Sequence, residues 1–171
     1  MADPNLSLAT WWECEPARFH IDRESTARRF PNLTWEPKGA GYLSGRLPIW
    51  PFDRPVPDGF ELTDADGLDV VVEFGHAYPV VEPRIVPVDP EPLVDERSYT
   101  QWHVLPDGGL CLLRDADQWD VRSPLEGLLL KAAGWRLEYW LIKNGLREAM
   151  TESGIARDPS LDPLWAVASV G

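Results

Sequence analysis

The sequence predicts an α+β domain: an N-terminal helix, a four-stranded antiparallel meander, a long irregular loop, and C-terminal helices that cover the sheet. Three observations carry that expectation. Four short β-type stretches follow one another between residues 33 and 88, separated by Pro-, Gly- and Asp-rich turns. Two stretches whose apolar residues recur at helical spacing bracket them. The 17 prolines in 171 residues favour short elements on stiff connections over a helical bundle, because each proline removes a backbone donor and fixes φ. A chain of this length suffices for one well-buried domain and is short for two, so residues 1–171 are expected to form a single unit.

From Trp11 to Phe30, the positions of Trp12, Ala17, Phe19, Ala27 and Phe30 predict a first amphipathic helix, with Pro16 near its start and Pro31 ending it. "LTWEP" then reads as a short strand closed by proline. "YLSGRLPIW" alternates, with Leu43, Leu47 and Ile49 on one face and Tyr42, Ser44 and Arg46 on the other. A long connection, "PFDRPVPDGFELTDADG", leads to "LDVVVEF", which places Leu68, Val70, Val72 and Phe74 on one face. "RIVPV" is the fourth strand, and its proline assigns it to an edge. Residues 90–122 read as an irregular loop. Ser123 and Pro124 then predict a capped start to a strongly apolar helix, with Leu125, Leu128, Leu129, Ala132, Trp135, Tyr139 and Ile142 along its stripe. "KNG" at residues 143–145 reads as its C-cap, and a short last helix is expected to end near "SGIARDPS".

Composition excludes several function classes. The formal net charge is −12 and the pI about 4.6, a poor match to phosphate backbones or acidic membrane surfaces. Nothing at the amino terminus has the basic start and apolar run of a signal peptide, and no stretch reaches the ~18 apolar residues of a membrane helix. The two cysteines, Cys14 and Cys111, lack metal-ligand spacing, so the chain is expected to be cytoplasmic with free thiols and to need no metal or cofactor. His20 and His76 have no evident partners and read as structural. The nine tryptophans point to an aromatic core or interface, and Trp135 and Trp140 read as core in preference to a partner groove.

Two stretches point further. "YPVVEPRIVPV", Tyr78 to Val88, resembles the Tyr-Pro-x-x-x-Pro segment that leads into the fourth strand of ubiquitin-conjugating enzymes; Tyr78, Pro79 and Pro83 match, and Glu82 replaces a proline. "DGGLCLLRDADQW" resembles the active-site stretch of the same family: glycine, an aliphatic residue, Cys111, a leucine, and Trp119 eight positions on. The order of elements agrees, over roughly residues 11–150, with 151–171 as a C-terminal extension. One departure stands out. Where the eukaryotic members carry an asparagine eight residues ahead of the cysteine, this chain carries His103. In this it is similar to the divergent bacterial members found in antiphage (CBASS-type) defence and ubiquitin-like conjugation operons.

The resemblance implies a transferase that carries the carboxyl end of a modifier as a thioester on Cys111 and passes it to a lysine amine. Sulfur suits both steps, since a thiolate is a strong nucleophile and a good leaving group towards an amine. His103 is then the donor for the developing oxyanion or a base towards the amine. Asp115 and Asp117 are candidates for orienting a target lysine. Arg18, Arg23, Arg28 and Arg29 of the first helix are candidates for a surface that binds a ubiquitin-activating-like enzyme. The implied acyl donor is a ubiquitin-like modifier or, in short defence operons, the C-terminal tail of a nucleotidyltransferase. Two other readings stand beside this one: a non-catalytic binding module with a structural Cys111, and a Cys/His hydrolase, for which no third orienting residue is evident near His103.

Overall fold

Pro16 divides the N-terminal helix in two. The computed structural model describes residues 9–98, 100–113, 118–152 and 159–168. Within them, α1 is a single turn, Trp11–Cys14, and α2 spans Pro16–Arg29. A proline cannot donate to the preceding turn and disfavours helical geometry in the residue before it, so Glu15 leaves the helix at φ −123° and ψ 58°. The inward face of α2 also differs from the expected apolar stripe. Ala17 and Ala27 are exposed, while Asp22 and Thr26 are buried. A carboxylate can be buried only with partners, and Asp22 has two: Arg18 Nε at 2.6 Å and the hydroxyl of Tyr78.

The sheet is a meander of β1 (Leu33–Glu36), β2 (Tyr42–Leu47), β3 (Leu68–Glu73) and β4 (Arg84–Asp89), with neighbours antiparallel in chain order. The period-2 pattern decides its faces: Leu43, Leu47, Leu68, Val70, Val72 and Ile85 are all buried. Gly45 is required where β1 and β2 close up. Its φ is 138°, and a β-carbon there would lie 2.0 Å from the Asn32 carbonyl oxygen. Pro87 lies on edge strand β4 as expected, and the β3–β4 register shifts beside it, between Asp69 and Val70.

Helix α3 (Leu125–Lys143) is buried almost all round and shares one core with the sheet. Its start differs from expectation. The cap position is Pro124, with no side-chain cap, because the Ser123 hydroxyl instead accepts from the Asp120 N–H at 3.0 Å. Its end follows the sequence: Gly145 has φ 71°, its N–H reaches the Ile142 carbonyl, and Leu146 N–H reaches Leu141. The last helix, α4, lies at Asp162–Ala168, further on than expected, after a 3-10 turn at Pro159–Leu161. Pro163 falls in its first turn, where no donor is needed. It does not cover the sheet. Its buried Trp165 stacks on Trp140 of α3 and meets Phe60 edge-on.

The long loops carry structure that periodicity does not reveal. Phe60–Leu62 and Val94–Glu96 are 3-10 turns, and Glu96 is buried against Tyr139 Oη (2.7 Å) and Lys143 Nζ (2.6 Å) of α3. The tryptophan-rich composition is explained at the other end of the sheet. Trp11, Phe19, Trp35, Phe74 and Tyr78 form one edge-to-face cluster that seats α1 and α2.

Candidate active site

The stretch around Cys111 is a small hairpin. Val104 and Leu110 form an antiparallel bridge, and Leu105 N–H reaches the Gly109 carbonyl at 2.7 Å across the Pro-Asp-Gly-Gly turn. Gly108 sits at φ 87°, a conformation that glycine adopts without steric cost. Asp107 braces the turn by accepting from Gly109 N–H at 3.0 Å. That bond, with Arg84 at 3.1 Å, holds its carboxyl below the usual range. Leu110 N–H bonds to the Ile85 carbonyl at 2.8 Å, which fastens the hairpin to β4.

His103 and Cys111 stand opposite one another at the open end of this hairpin. Cys111 N–H donates to the His103 carbonyl at 2.8 Å. His103 has φ 49°, and it is the one described non-glycine residue with positive φ. Asparagine, aspartate and histidine are the side chains enriched in that region, so the position itself selects for residues such as these. The backbone is held there by its neighbours: Trp102 N–H and Val104 N–H both reach the Ser98 carbonyl, and Trp135 Nε1 of α3 donates to the Trp102 carbonyl at 2.7 Å.

Electrostatically the pair is neutral. Burial pushes the Cys111 thiol up and pushes the His103 imidazole down. The Cys111 sulfur is half-buried and has a weak contact with the Leu113 carbonyl at 3.8 Å. Cys14 is a free, exposed thiol, so no disulfide joins the two.

Cys111 and His103 line a cleft of about 400 Å³ whose other walls are Lys131, Trp135 and Glu138 of α3 and the segment 150–152. Lys131, Trp135 and Glu138 share one face of the helix by their spacing. Glu138 is only 2% exposed, and it takes Thr151 N–H at 2.5 Å and Thr151 Oγ1 at 2.7 Å, which fixes the 150–152 wall to α3. Met150 N–H reaches the Gln101 carbonyl at 3.0 Å and ties that wall to the His103 side as well. A second cleft of about 680 Å³, bordered by Arg29, Phe52, Arg54, Leu113 and Trp119, shares Gln118 and Lys131 with the first. Lys131 Nζ donates to the Leu112 carbonyl at 3.2 Å, directly beside Cys111.

Sequence reasoning missed Lys131 and Glu138. The available signal was that Lys131 and Glu138 interrupt the apolar stripe of α3, beside Leu128, Leu129, Ala132 and Trp135. Asp115 and Asp117 lie outside the described residues. The four arginines are not brought together. Arg18, its side chain 11% exposed, turns inward to Asp22, Tyr78 Oη (2.6 Å) and the carbonyls of Val121 (2.5 Å) and Ser123 (2.7 Å). Arg29 bonds Asp53 and Glu126, each at 2.8 Å. Arg23 and Arg28 remain exposed, with Arg23 lying over the Phe19 ring. His20 is exposed and lies 3.2 Å from Glu24, and His76 is exposed.

The two stretches singled out in the sequence meet in space. Trp119 is buried, and its Nε1 donates to the Pro79 carbonyl at 3.0 Å, with its ring tilted against Tyr78. Among the described residues, no three His, Cys, Asp or Glu side chains gather as a metal site, and no helix is long and apolar enough to cross a membrane. No protein-family model, no curated protein and no solved structure matches this chain.

Proposed function

We propose that this chain is a ubiquitin-conjugating-like acyl transferase of the divergent bacterial kind, working in antiviral defence. Cys111 carries the carboxyl end of a ubiquitin-like modifier, or of a nucleotidyltransferase tail, as a thioester and passes it to a lysine amine. The observation that carries this reading is a single junction. The hairpin with Cys111 opposite His103 opens on a cleft, and the same loop is bonded through Trp119 to the Tyr78-Pro79 segment.

The neutral state of the pair suits a carrier. A donor that arrives as an energised thioester needs only the small thiolate fraction of an ordinary or raised thiol. The thiolate attacks the donor carbonyl, the donor's thiol leaves, and the proton lost by Cys111 is taken up by that leaving sulfur. In the second step the amine nitrogen attacks the same carbonyl, the C–S bond breaks, and the proton shed by the amine returns to Cys111. A neutral His103 fits the second step as a hydrogen-bond donor or as a base for the amine. A Cys/His hydrolase rests as a thiolate–imidazolium pair, and burial moves both groups the other way here.

The test is to mix the chain with the activating enzyme and tail-bearing partner encoded beside it, add ATP, and separate the products without reductant. A reductant-sensitive adduct that disappears in Cys111→Ala is expected. An adduct unaffected by that change removes the nucleophile assignment, and no adduct with a competent partner favours the binding module.

A further inference from the structure

We infer that Lys131 supplies the positive donor for the oxyanion formed on the Cys111 thioester; this rests on the acyl-transfer reading above. Three observations meet at this residue. Lys131 lies on the α3 face that forms the wall of the Cys111 cleft, and it also lines the larger cleft beyond Leu113. Its Nζ is 3.2 Å from the carbonyl oxygen of Leu112, the residue after the nucleophile, so its position is fixed relative to the Cys111 backbone. His103, the other candidate, is held neutral by burial, whereas an ammonium brings a full positive charge to the site.

The lysine content of the chain gives this placement weight. There are three lysines against thirteen arginines. A carrier whose thioester is attacked by amines is exposed to its own lysines, and a guanidinium, always protonated, does not compete as a nucleophile. Lys38 lies in the β1–β2 turn, and Lys143 is bonded to Glu96 at 2.6 Å. Of the three, Lys131 is the lysine that lines the Cys111 cleft. As an ammonium donating to Leu112 it has no lone pair to attack with, and it serves the thioester as a cation. When the amine adds to the carbonyl, negative charge appears on the former carbonyl oxygen. An ammonium in a half-buried cleft stabilises that charge far more than it does the neutral thioester, which is the condition for catalysis.

The test needs no natural partner. The full chain with its exposed thiol removed (Cys14→Ser) is incubated with a glycine-terminated peptide carrying a mercaptoethanesulfonate thioester, so that Cys111 is the one thiol open to exchange. The loaded protein is then isolated, mixed with free lysine, and followed by intact mass. Compared at equal loading, Lys131→Met should lose aminolysis by about a hundredfold, the cost of removing one such donor. Lys131→Arg should keep most of the rate, and Lys131→Gln should not. Circular dichroism and thermal melting check that each variant is folded; if Lys131→Met does not fold, the Arg and Gln pair carries the comparison. Aminolysis at wild-type rate in folded Lys131→Met or Lys131→Gln overturns the assignment, as does recovery of the peptide on Lys131 itself. A Cys14→Ser chain that never loads at Cys111 removes the acyl-transfer reading and the Lys131 assignment with it.

Discussion

Two regions of the molecule use the same kinds of residue to opposite ends. Around Tyr78, a buried carboxylate, a guanidinium and a phenol are tied to one another and to the carbonyls of Val121 and Ser123, so Arg18 is committed by four hydrogen bonds. Burial and the neighbouring Asp22 push the Tyr78 hydroxyl far above its ordinary range. Around Cys111, the backbone is fixed as tightly, by the hairpin bridge and by α3, but the reactive side chains are not. The thiol has a single weak contact and the imidazole is neutral. The first region joins α2, the Tyr78-Pro79 segment and the loop after Trp119 into one body. The second keeps a thiol and an imidazole at the mouth of a cleft. Satisfied polar networks specify structure; a positioned group with spare bonding capacity is what chemistry needs.

The comparison can be broken by substitution, from the largest effect to the smallest. Cys111→Ala should abolish adduct formation while leaving the urea midpoint within about 0.5 kcal/mol of wild type, as for a change away from the core network. Arg18→Ala should do the reverse. It leaves the Asp22 charge buried without its cation, a loss of about 3–5 kcal/mol in urea unfolding. If Arg18→Ala is instead as stable as wild type but fails to accept the modifier from its activating enzyme, the residue belongs to the partner surface after all. Arg23→Ala and Arg28→Ala, on exposed positions, are the substitutions expected to affect that encounter alone.

His103→Ala should load at near wild-type levels and slow transfer to amine by about tenfold to a hundredfold, the range for general acid–base or donor roles. His103→Asn, which also tolerates a positive φ, should keep more of the rate than the alanine variant. Equal transfer in all three forms would leave His103 as a loop brace. The two thiols should also separate. Exposed Cys14 should alkylate with iodoacetamide at neutral pH before half-buried Cys111, whose rate should rise steeply only in alkaline buffer, because burial raises its pKa.

The smallest effect concerns pH and stability. Burial holds the folded His103 below its ordinary range, so the unfolded chain binds this proton more readily than the folded one. Stability from this group is complete above the unfolded pKa of about 6.5 and is lost as pH falls from there through the folded value. Melting temperatures of wild type and His103→Asn at pH 7 and pH 5 should show the smaller drop in the variant.

Much of this was legible in the residues. The second and third strands are legible because Leu43, Leu47, Leu68, Val70 and Val72 share the core face, and Pro87 marks its strand as an edge. The helix after Pro124 announced itself by Leu128, Leu129, Ala132 and Trp135. The inward face of α2 was not legible, since the sequence offers Arg18 only as a candidate for a partner surface and gives Asp22 no part in the core. Only Tyr78, sixty positions away, makes their burial affordable. The site divides in the same way. Cys111, His103 and Trp119 are marked by the family resemblance carried in one stretch. Lys131 and Glu138 come from a helix whose pattern speaks only of apolar burial, and nothing in sequence places that helix beside the hairpin. Α4 moved because its anchor is a single tryptophan, Trp165, which periodicity cannot weigh.

The central claim is that an acyl group rests on the Cys111 sulfur, and the most direct measurement locates it there. Wild type and Cys111→Ser are incubated with a ubiquitin-activating-like enzyme, a ubiquitin-like modifier and ATP, digested without reductant, and mapped by mass spectrometry. The account predicts a thioester on Cys111 that thiol reductants release, and in Cys111→Ser an oxyester at the same position that they do not. Modifier found on Cys14 or on a lysine of this chain, with Cys111 unmodified and the Ser variant unchanged, would contradict it.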